Sequence, residues 1–323
     1  MYFPDISWEL LLKLLKWEKN FLPTLLTADE WVISFSGGAD SVLTATLLYN
    51  LQKTFPATRK VTFFYLHHYG KKPMPKQRQQ VFSFWQQAFL NLPQADFSFY
   101  EIKKDVALVA KKLSRSFEHT GSLLRHKEAE KLLRGKNALF FTGHTLTDWL
   151  ETIFLRLQRG AGVQAIFPLD VREGKKVHPL YLLTRFEVRN FLKDNKIPYW
   201  DDPDNESVGH RALARKALAE IFWTNPEGMR RSALNFLEKK RKYKKEEIEL
   251  FSKMQQVSKR EYRIEEKKFQ SLDAQAKEIL SKKSFQKLGL FYFNTFLREK
   301  LSSDKMYHPP FFMEIENYNG LLY

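Results

Sequence analysis

The strongest chemical signal in the sequence is a six-residue stretch between an apolar run, 31–35, and a run with helical periodicity, 42–51. It reads Ser36-Gly37-Gly38-Ala39-Asp40-Ser41. Glycines after a strand allow a sharp turn, and a helix that begins at Asp40 or Ser41 directs backbone N–H groups at a bound anion. Ser36 and Ser41 add hydroxyl donors, and Asp40 can hold a divalent cation. The stretch therefore predicts an anion cradle, with an ordinary tight turn as the alternative. It lacks the lysine that ends a Walker A loop.

A second group of polar residues follows another apolar run, 139–143. On a helix, positions 144, 148 and 151 lie on one face, so His144, Asp148 and Glu151 would point the same way. One imidazole and two carboxylates can bind a cationic amine and take up its proton. The alternative is structural: Thr145 caps the helix, Asp148 completes a capping box, and Glu151 is solvated.

The elements that would position both groups alternate between strand and helix. Strands are predicted at 31–35, 60–68, 97–102 and 139–144, and helices at 42–52, 76–90, 105–113 and 146–159. This alternation predicts an α/β fold, a mainly parallel sheet with helices on both faces, whose ligand site lies at the carboxyl ends of the strands. The six-residue loop, His67, His68 and His144 would gather there.

The charge of the chain favours a polyanionic partner. Its 323 residues carry 53 Lys and Arg against 37 Asp and Glu, a formal charge of +16, which is typical of nucleic-acid binding, although an inert basic surface is the alternative. No cysteine is present, which excludes disulfides, thiolate zinc sites and cysteine-based sulfur transfer. Charges interrupt the apolar run from Ile6 to Phe21, so we expect an amphipathic helix, no membrane partner and a cytoplasmic location.

The sequence changes character at Pro226. Residues 239–245 are nearly all cationic, and the stretch that follows combines many charges with spaced apolar residues. We expect an α/β domain at 1–220 and a smaller, basic, mostly helical domain at 226–323. The helical domain would grip a nucleic-acid backbone, or alternatively form a charged hairpin that packs on the first domain.

These motifs together carry a family resemblance. The loop 36–41 resembles the SGGxDS loop of the PP-loop ATP pyrophosphatases, whose fold is adenine nucleotide alpha hydrolase-like. The chain is further similar to the tRNA(Ile)-lysidine synthetase family, which joins that loop to a segment of the form HxxDDxxET followed by RGxG. The matching residues are His144, Asp148, Glu151, Thr152 and Arg159-Gly160-Ala161-Gly162.

Other blocks of the family pattern match in the same order, with substitutions. Arg125 precedes the position of a family tyrosine, and Arg211 and Arg215 have the spacing of the family's RNxxR. Two arginines four residues apart share one helix face and can clamp phosphates, or form a solvated basic face. The positions that depart from the family pattern are Tyr65, His126, Thr147 and Ala212.

The resemblance implies an activity, the ATP-dependent ligation of free L-lysine to C2 of the wobble cytidine, position 34, of a tRNA(Ile) with a CAU anticodon. The cytidine is adenylated with release of pyrophosphate, and the lysine ε-amine then displaces AMP. Residues 1–220 would be the PP-loop ATP pyrophosphatase catalytic domain, with Mg²⁺ held near Asp40. Residues 226–323 would bind the tRNA.

The resemblance also implies roles for single residues. Asp148 and Glu151 would hold the amines of lysine, because desolvated ammonium groups need carboxylate partners. Arg211 and Arg215 would neutralise the charge that develops during transfer. The residues expected to act in catalysis are Asp40, His144, Arg211 and Arg215. The residues expected to contact ATP are Ser36, Gly37, Gly38, Ala39, Asp40, Ser41, Arg125 and His144.

Three other functions stay open. A PP-loop tRNA thiolase shares the ATP loop, but such enzymes generally use reactive cysteines. An amide-forming PP-loop synthetase for a small molecule would have no evident use for the basic charge. A non-catalytic RNA-binding protein on a decayed PP-loop scaffold is favoured by the departures from the family pattern. The sequence does not indicate the oligomeric state, and a homodimer is one of the states left open.

Overall fold

The structure, a computed structural model, describes residues 21–68, 73–160, 166–201, 213–218, 225–252, 255–256 and 262–263. The chain divides into two compact units, Met1–Leu237 and Glu238–Tyr323. Within the described residues, no helix combines the length and the hydropathy that a membrane crossing requires.

The first unit alternates strands and helices, as predicted. Its elements are α1 (Phe21–Leu26), β1 (Glu30–Ser34), α2 (Ala39–Thr54), β2 (Arg59–His67), α3 (Lys76–Leu90), β3 (Ala95–Lys103), α4 (Val106–Lys112), α5 (Phe117–Leu133), β4 (Ala138–Phe141), α6 (Leu146–Leu157), β5 (Arg172–Glu173), β6 (Lys176–Val177) and α7 (Arg185–Asp194). Residues 213–218 are also helical. The helix α8 (Pro226–Ser252) runs from the first unit into the second, where β7 (Gln255–Gln256) pairs with β8 (Tyr262–Arg263).

The sheet places the predicted site at a change of strand order. Six strands follow the order β3-β2-β1-β4-β6-β5, and every pair is parallel except β5 with β6. The chain proceeds from β1 to β2 on one side and from β3 to β4 on the other. Beyond the carboxyl ends of β1 and β4, the loops diverge and leave a crevice.

Both faces of the sheet are buried, which confirms the prediction of helices on both sides. Side chains alternate along β1, so that Trp31 and Ile33 join the larger core while Val32 joins the smaller one. The larger core includes Val42 and Leu43 of α2, Trp85 and Phe89 of α3, and Val188 and Leu192 of α7. The smaller core consists of Val32, Phe64, Ala129, Leu133, Ala138 and Phe140.

Some elements differ from the prediction or lie beyond what can be compared. Helix α5 was not predicted, although Ser116 caps it by accepting a hydrogen bond from His119 N at 3.3 Å. The two-residue strands β5 and β6 are too short to leave a periodic signal. The amphipathic helix predicted at 6–21 and most of the predicted helical tail lie outside the described residues.

Arg59 stabilises the opposite end of the sheet from the crevice. Its side chain is 2% exposed and donates to Ala28 O at 3.0 Å, Leu26 O at 2.7 Å and Gln52 Oε1 at 2.6 Å. The guanidinium also lies 4.0 Å from the centroid of the Trp31 ring. Burial lowers the pKa of Arg59 from its usual value. The hydrogen bonds compensate for the burial of this charge.

Replacing Arg59 with methionine is expected to lower the free energy of unfolding by about 2–4 kcal/mol, because three acceptors lose a charged donor. Urea denaturation measures this change. Lys60→Met is the matched control, since Lys60 is the exposed neighbour on β2 and should change stability by no more than about 0.5 kcal/mol. Equal effects of the two substitutions would contradict a structural role for Arg59.

Candidate active site

The anion cradle lies between β1 and α2. Gly37 has a φ of +78°, and Gly38 is extended, with φ −73° and ψ 160°. Helix α2 begins at Ala39, one residue earlier than the earlier of the two predicted starts. The N–H groups in the first turn of a helix have no intrahelical acceptor and carry a partial positive charge. The loop can therefore present backbone donors to a phosphate, as predicted.

The two serine hydroxyls of the loop have different roles. Ser41 Oγ donates to Gly38 O at 2.9 Å and accepts from Ser36 N at 3.2 Å. Because a hydroxyl has one proton, Ser41 holds the turn together and has no proton left for a ligand. Ser36 is exposed; its Oγ accepts from Gly38 N at 3.3 Å and lies 3.2 Å from Ser41 Oγ. Of the two predicted hydroxyl donors, the geometry therefore fits Ser36.

Arg78 braces the loop from the α3 side, a contact that the sequence reasoning missed. Arg78 Nε donates to Ser36 O at 2.7 Å, and the guanidinium lies 4.9 Å from the Tyr65 ring and 4.5 Å from the Trp200 ring. Trp200 N in turn donates to Gly37 O at 2.8 Å. These hydrogen bonds and cation–π contacts hold two successive carbonyl groups of the loop, so they fix the direction of its N–H groups.

Replacing Gly37 with alanine is expected to lower the melting temperature by about 2–6 °C and to weaken ATP binding. A side chain at a φ of +78° is strained, and its Cβ would lie 3.1 Å from Phe82 Cε2. Calorimetry gives both quantities. Gly135→Ala is the control, because Gly135 has a φ of +71° but a Cβ there would meet no atom within 4 Å. If both variants lowered ATP affinity equally, the loop would have no special role.

The second wall of the crevice follows β4. Gly143 packs against the first turn of α2, where a Cβ would lie 2.8 Å from the carbonyl carbon and oxygen of Asp40. Only glycine allows this approach, which brings the residues after β4 next to the loop. His144 precedes α6, since Thr145 is the extended N-cap residue. The prediction that His144 shares a helical face with Asp148 and Glu151 is therefore wrong.

Asp148 completes the capping box of α6, which confirms the alternative considered for this residue. Thr145 N and Thr145 Oγ1 donate to Asp148 Oδ2 at 2.9 and 2.7 Å, and Asp148 N donates to Thr145 Oγ1 at 3.3 Å. The other carboxylate oxygen, Oδ1, pairs with Arg185 Nη2 at 2.9 Å. One carboxylate therefore serves both the helix start and the crevice.

Arg185, the first residue of α7, connects the acidic groups of the site, and sequence reasoning did not single it out. Besides Asp148, its guanidinium pairs with Glu151 Oε1 at 3.4 Å and with Asp40 Oδ2 at 3.6 Å. Arg215, in the helical segment 213–218, pairs with the same Glu151 oxygen at 2.9 Å. The structure thus brings together Asp40, Asp148, Glu151 and Arg215, as the positions of these residues in the family pattern suggested.

Two carboxylate oxygens in this network have no hydrogen-bond partner among the residues that the structure describes. Glu151 is fully buried, so the prediction of a solvated side chain is wrong, and its Oε2 accepts no bond from those residues. Asp40 Oδ1 is in the same position. A buried acceptor of this kind favours a donor or a cation. Arg211, the other predicted catalytic arginine, lies outside the described residues.

The buried charges shift each other's pKa values. Burial raises the pKa of Asp40 to about 7, although the charge of Arg185 opposes this shift. Burial also acts to raise the pKa of Asp148, but Arg185, His144 and the Thr145 hydrogen bonds outweigh it and hold that pKa at about 2. The carboxylates in turn raise the pKa of Arg185 above its usual value against the effect of burial. Asp40 is therefore only partly ionised near neutral pH.

Thr147 has a structural role that accounts for its departure from the acidic family pattern. It is buried, and its Oγ1 accepts a hydrogen bond from Arg185 N at 3.0 Å. This contact satisfies a backbone donor in the first turn of α7, which has no intrahelical acceptor. Thr147 therefore anchors the backbone of the residue that connects the carboxylates.

The histidines at the strand ends form an uncharged wall. Burial, assisted by Arg125, lowers the pKa of His68 to about 4. Burial, assisted by Lys176, lowers the pKa of His126 to about 4, and the charges of Arg125 and His144 act in the same direction. Arg125, His126 and His144 therefore lie near one another, as predicted for the carboxyl edge of the sheet.

The charge of the network favours an added cation. With Asp40 ionised, Asp40, Asp148 and Glu151 face Arg185 and Arg215, so one negative charge is in excess. Within the described ranges, no group of three or more His, Cys, Asp or Glu side chains is arranged to hold a metal ion. A metal here would need oxygen ligands from a bound phosphate in addition to Asp40, which is common for Mg²⁺.

Comparison with known proteins places this site in a family. A family model described as a PP-loop domain matches residues 11–221. The tRNA(Ile)-lysidine synthase of Thermosipho africanus is 28% identical over 214 residues, which cover 65% of this chain and 48% of that protein. The tRNA(Ile)-lysidine synthase of Leptospira interrogans is 28% identical over 178 residues, which cover 54% of this chain and 39% of that protein.

A solved structure supports the fold alone. The U34-tRNA thiolase NcsA from Methanococcus maripaludis, determined with its 4Fe–4S cluster, superposes with a TM-score of 0.55 and 15% identity, covering 72% of this chain and 80% of that chain. The present chain spans about half or less of the length of these two curated relatives. With the family model matching most of its length, the chain belongs to the PP-loop family, and the relatives named above are tRNA(Ile)-lysidine synthases.

Proposed function

We propose that the protein ligates L-lysine to C2 of the wobble cytidine, position 34, of a tRNA(Ile) with a CAU anticodon. ATP adenylates the C2 oxygen and releases pyrophosphate, and the ε-amine of lysine then displaces AMP. The PP-loop domain implies the use of ATP. The relatives' names supply the reaction type.

The observation that carries the proposal is the acidic network beside the anion cradle. A lysine side chain presents an ammonium group, and the network has an excess negative charge and an unpaired Glu151 oxygen toward which such a group could donate. Asp148 would contribute the charge of a carboxylate that stays ionised above a pKa of about 2. A desolvated cation is favoured where fixed carboxylates replace its hydration.

The cradle would bind the phosphates of ATP through the backbone N–H groups at the start of α2. Ser36 would add its hydroxyl, and Arg78 would keep the loop in place. Arg215 lies close enough to the acidic network to stabilise the negative charge of departing AMP. Arg125 and His144 would line the side where ATP and the cytidine meet.

Asp40 is the residue best suited to hold Mg²⁺ with the phosphates. Its Oδ1 is buried without a hydrogen-bond partner in the described part of the chain, which is the chemistry of an oxygen ligand for a hard cation. When bound, Mg²⁺ would reduce the negative charge on the phosphates. A cation at this position would also displace the proton that Asp40 binds near neutral pH.

Helix α8 and the residues beyond it are proposed to bind the tRNA. Cationic side chains on α8 are exposed to solvent and can contact phosphates. The exposed cations near its middle are Lys239, Arg241, Lys242, Lys244 and Lys245. With 1–220 as the catalytic domain and 226–323 as the tRNA-binding domain, a cytoplasmic location follows from the proposed substrate.

A thiolase function is less well supported, although a thiolase shares the fold. That protein carries an iron–sulfur cluster, and cysteine thiolates are the usual ligands of such clusters. The present sequence contains no cysteine. A non-catalytic RNA-binding protein remains the second candidate, favoured by Thr147 in place of an acidic residue.

Pyrophosphate release from ATP tests the proposal, with lysine and the CAU tRNA added separately and together. We expect release that depends on the tRNA. Release without tRNA would favour a small-molecule PP-loop enzyme, and its absence under every condition would favour the RNA-binding alternative.

A further inference from the structure

Thr142 lies between two histidine rings just beyond the end of β4. Its Oγ1 is 2.7 Å from His144 Nδ1 and 2.6 Å from His178 Nδ1, and the two Nδ1 atoms are 3.3 Å apart. Backbone hydrogen bonds hold the group: Thr142 N donates to Val177 O at 3.0 Å, and His178 N donates to Val171 O at 2.8 Å. The three polar atoms therefore form a compact triangle with a fixed geometry.

The distances limit where protons can lie in this triangle. A hydroxyl carries one proton, and a neutral imidazole has one protonated and one bare nitrogen. If both Nδ1 atoms were bare, Thr142 could donate to only one of them, and lone pairs would face each other at the other contact. If both were protonated, the hydroxyl proton would need a further acceptor, and the described residues provide none within hydrogen-bond distance. One protonated and one bare Nδ1 satisfy all three contacts.

We propose that Thr142 holds His144 and His178 in opposite neutral tautomers, with His144 donating from Nδ1 to Thr142 and Thr142 donating to Nδ1 of His178. In this arrangement His144 presents a bare Nε2. His178 is 2% exposed, whereas His144 is partly exposed at the crevice. His178 is thus a positioning residue, since the buried ring determines which nitrogen of the crevice ring is bare.

The arrangement would provide a path for one proton, a step that rests on the proposed function. The lysine ε-ammonium must lose a proton before its nitrogen can attack C2. When His144 takes that proton at Nε2, its Nδ1 proton moves to Thr142 Oγ1, and the hydroxyl proton moves to His178 Nδ1. The C–N bond then forms at C2 as the C2–O bond to AMP breaks. No electrons leave the system, and the positive charge ends on His178, away from the new bond.

Nitrogen-15 NMR of the histidine side chains at neutral pH tests the tautomers, since protonated and bare ring nitrogens differ in chemical shift. The chain has 8 histidines, so His144→Gln and His178→Gln assign two of the signals by removing them. We expect Nδ1–H on His144 and Nε2–H on His178. The same tautomer on both rings, the reverse arrangement, or an imidazolium would overturn the proposal. This readout needs neither tRNA nor lysine.

Two substitutions at Thr142 separate the hydroxyl from the shape of the side chain. Thr142→Val removes the hydroxyl, and we expect each ring to lose its single tautomer and kcat for lysine transfer to fall by about tenfold or more, with KM for ATP unchanged. Thr142→Ser should restore both properties. If the valine variant does not fold, His178→Gln tests the same loss of a fixed tautomer on His144. Unchanged ring shifts in these variants would overturn the proposal. If the wild-type protein transfers no lysine, the proposed function fails, while the NMR result still decides the tautomers.

Discussion

Replacing Arg185 with methionine is expected to lower the free energy of unfolding by about 3 kcal/mol at pH 8. The substitution keeps the length of the side chain but removes the charge that pairs with Asp40, Asp148 and Glu151. Breaking a buried ion pair by removing one partner leaves a desolvated charge without compensation, which is among the most destabilising changes. Arg215 would still pair with Glu151, so the loss falls mainly on the two aspartates.

The matched control for this measurement is Arg189→Met, one turn further along α7. Arg189 pairs with Asp201 at 2.7 Å, but their side chains are 37% and 58% exposed. Exposed pairs contribute little, so we expect a change of about 1 kcal/mol or less in urea denaturation. If Arg185→Met cost no more than this control, the carboxylates would not depend on Arg185.

Replacing Asp40 with asparagine is expected to abolish ATP-dependent activity, by at least about a hundredfold, and to stabilise the fold at alkaline pH. The pKa of Asp40 is about 7 in the folded protein, above the usual value of 3.8. The folded state therefore binds this proton more tightly, and wild-type stability falls as pH rises from about 4 to 7. Asparagine stays neutral, so its advantage in melting temperature should grow over this interval and then level off.

Calorimetry at pH 5 and pH 8 measures this difference, and pyrophosphate release measures the activity. Asp96→Asn is the control, because Asp96 is exposed on β3 and should change neither quantity. A variant at Asp40 that kept full activity would refute the proposed metal ligand. A melting-temperature difference that did not grow with pH would refute the raised pKa.

The sheet and its site edge were predictable because their signals are local. Apolar strands such as β1 and the periodic run of α3 leave patterns in consecutive residues, and the bounds of α3, Lys76–Leu90, agree with the prediction. Parallel strands place their carboxyl ends at one edge, so His144 and the six-residue loop had to meet. Topology alone therefore located the crevice.

The pairing of charges was not predictable in the same way. Arg185 lies 37 positions from Asp148 in the chain, and its role depends on how α7 packs beside α6. Asp148 satisfied both the capping pattern and the carboxylate pattern, and the structure shows one oxygen in each role. Arg78 contacts a carbonyl and two aromatic rings, groups that leave no charge pattern in the sequence.

The most direct test of the proposed function is the transfer of radiolabelled lysine to tRNA(Ile) with a CAU anticodon in the presence of ATP. The control is the same tRNA with uridine in place of the wobble cytidine, which keeps the backbone that the basic helix would contact. We expect acid-stable label on the CAU tRNA and none on the control. Equal labelling of both RNAs, or no labelling of either while ATP and tRNA both bind, would contradict lysine ligation at the wobble cytidine.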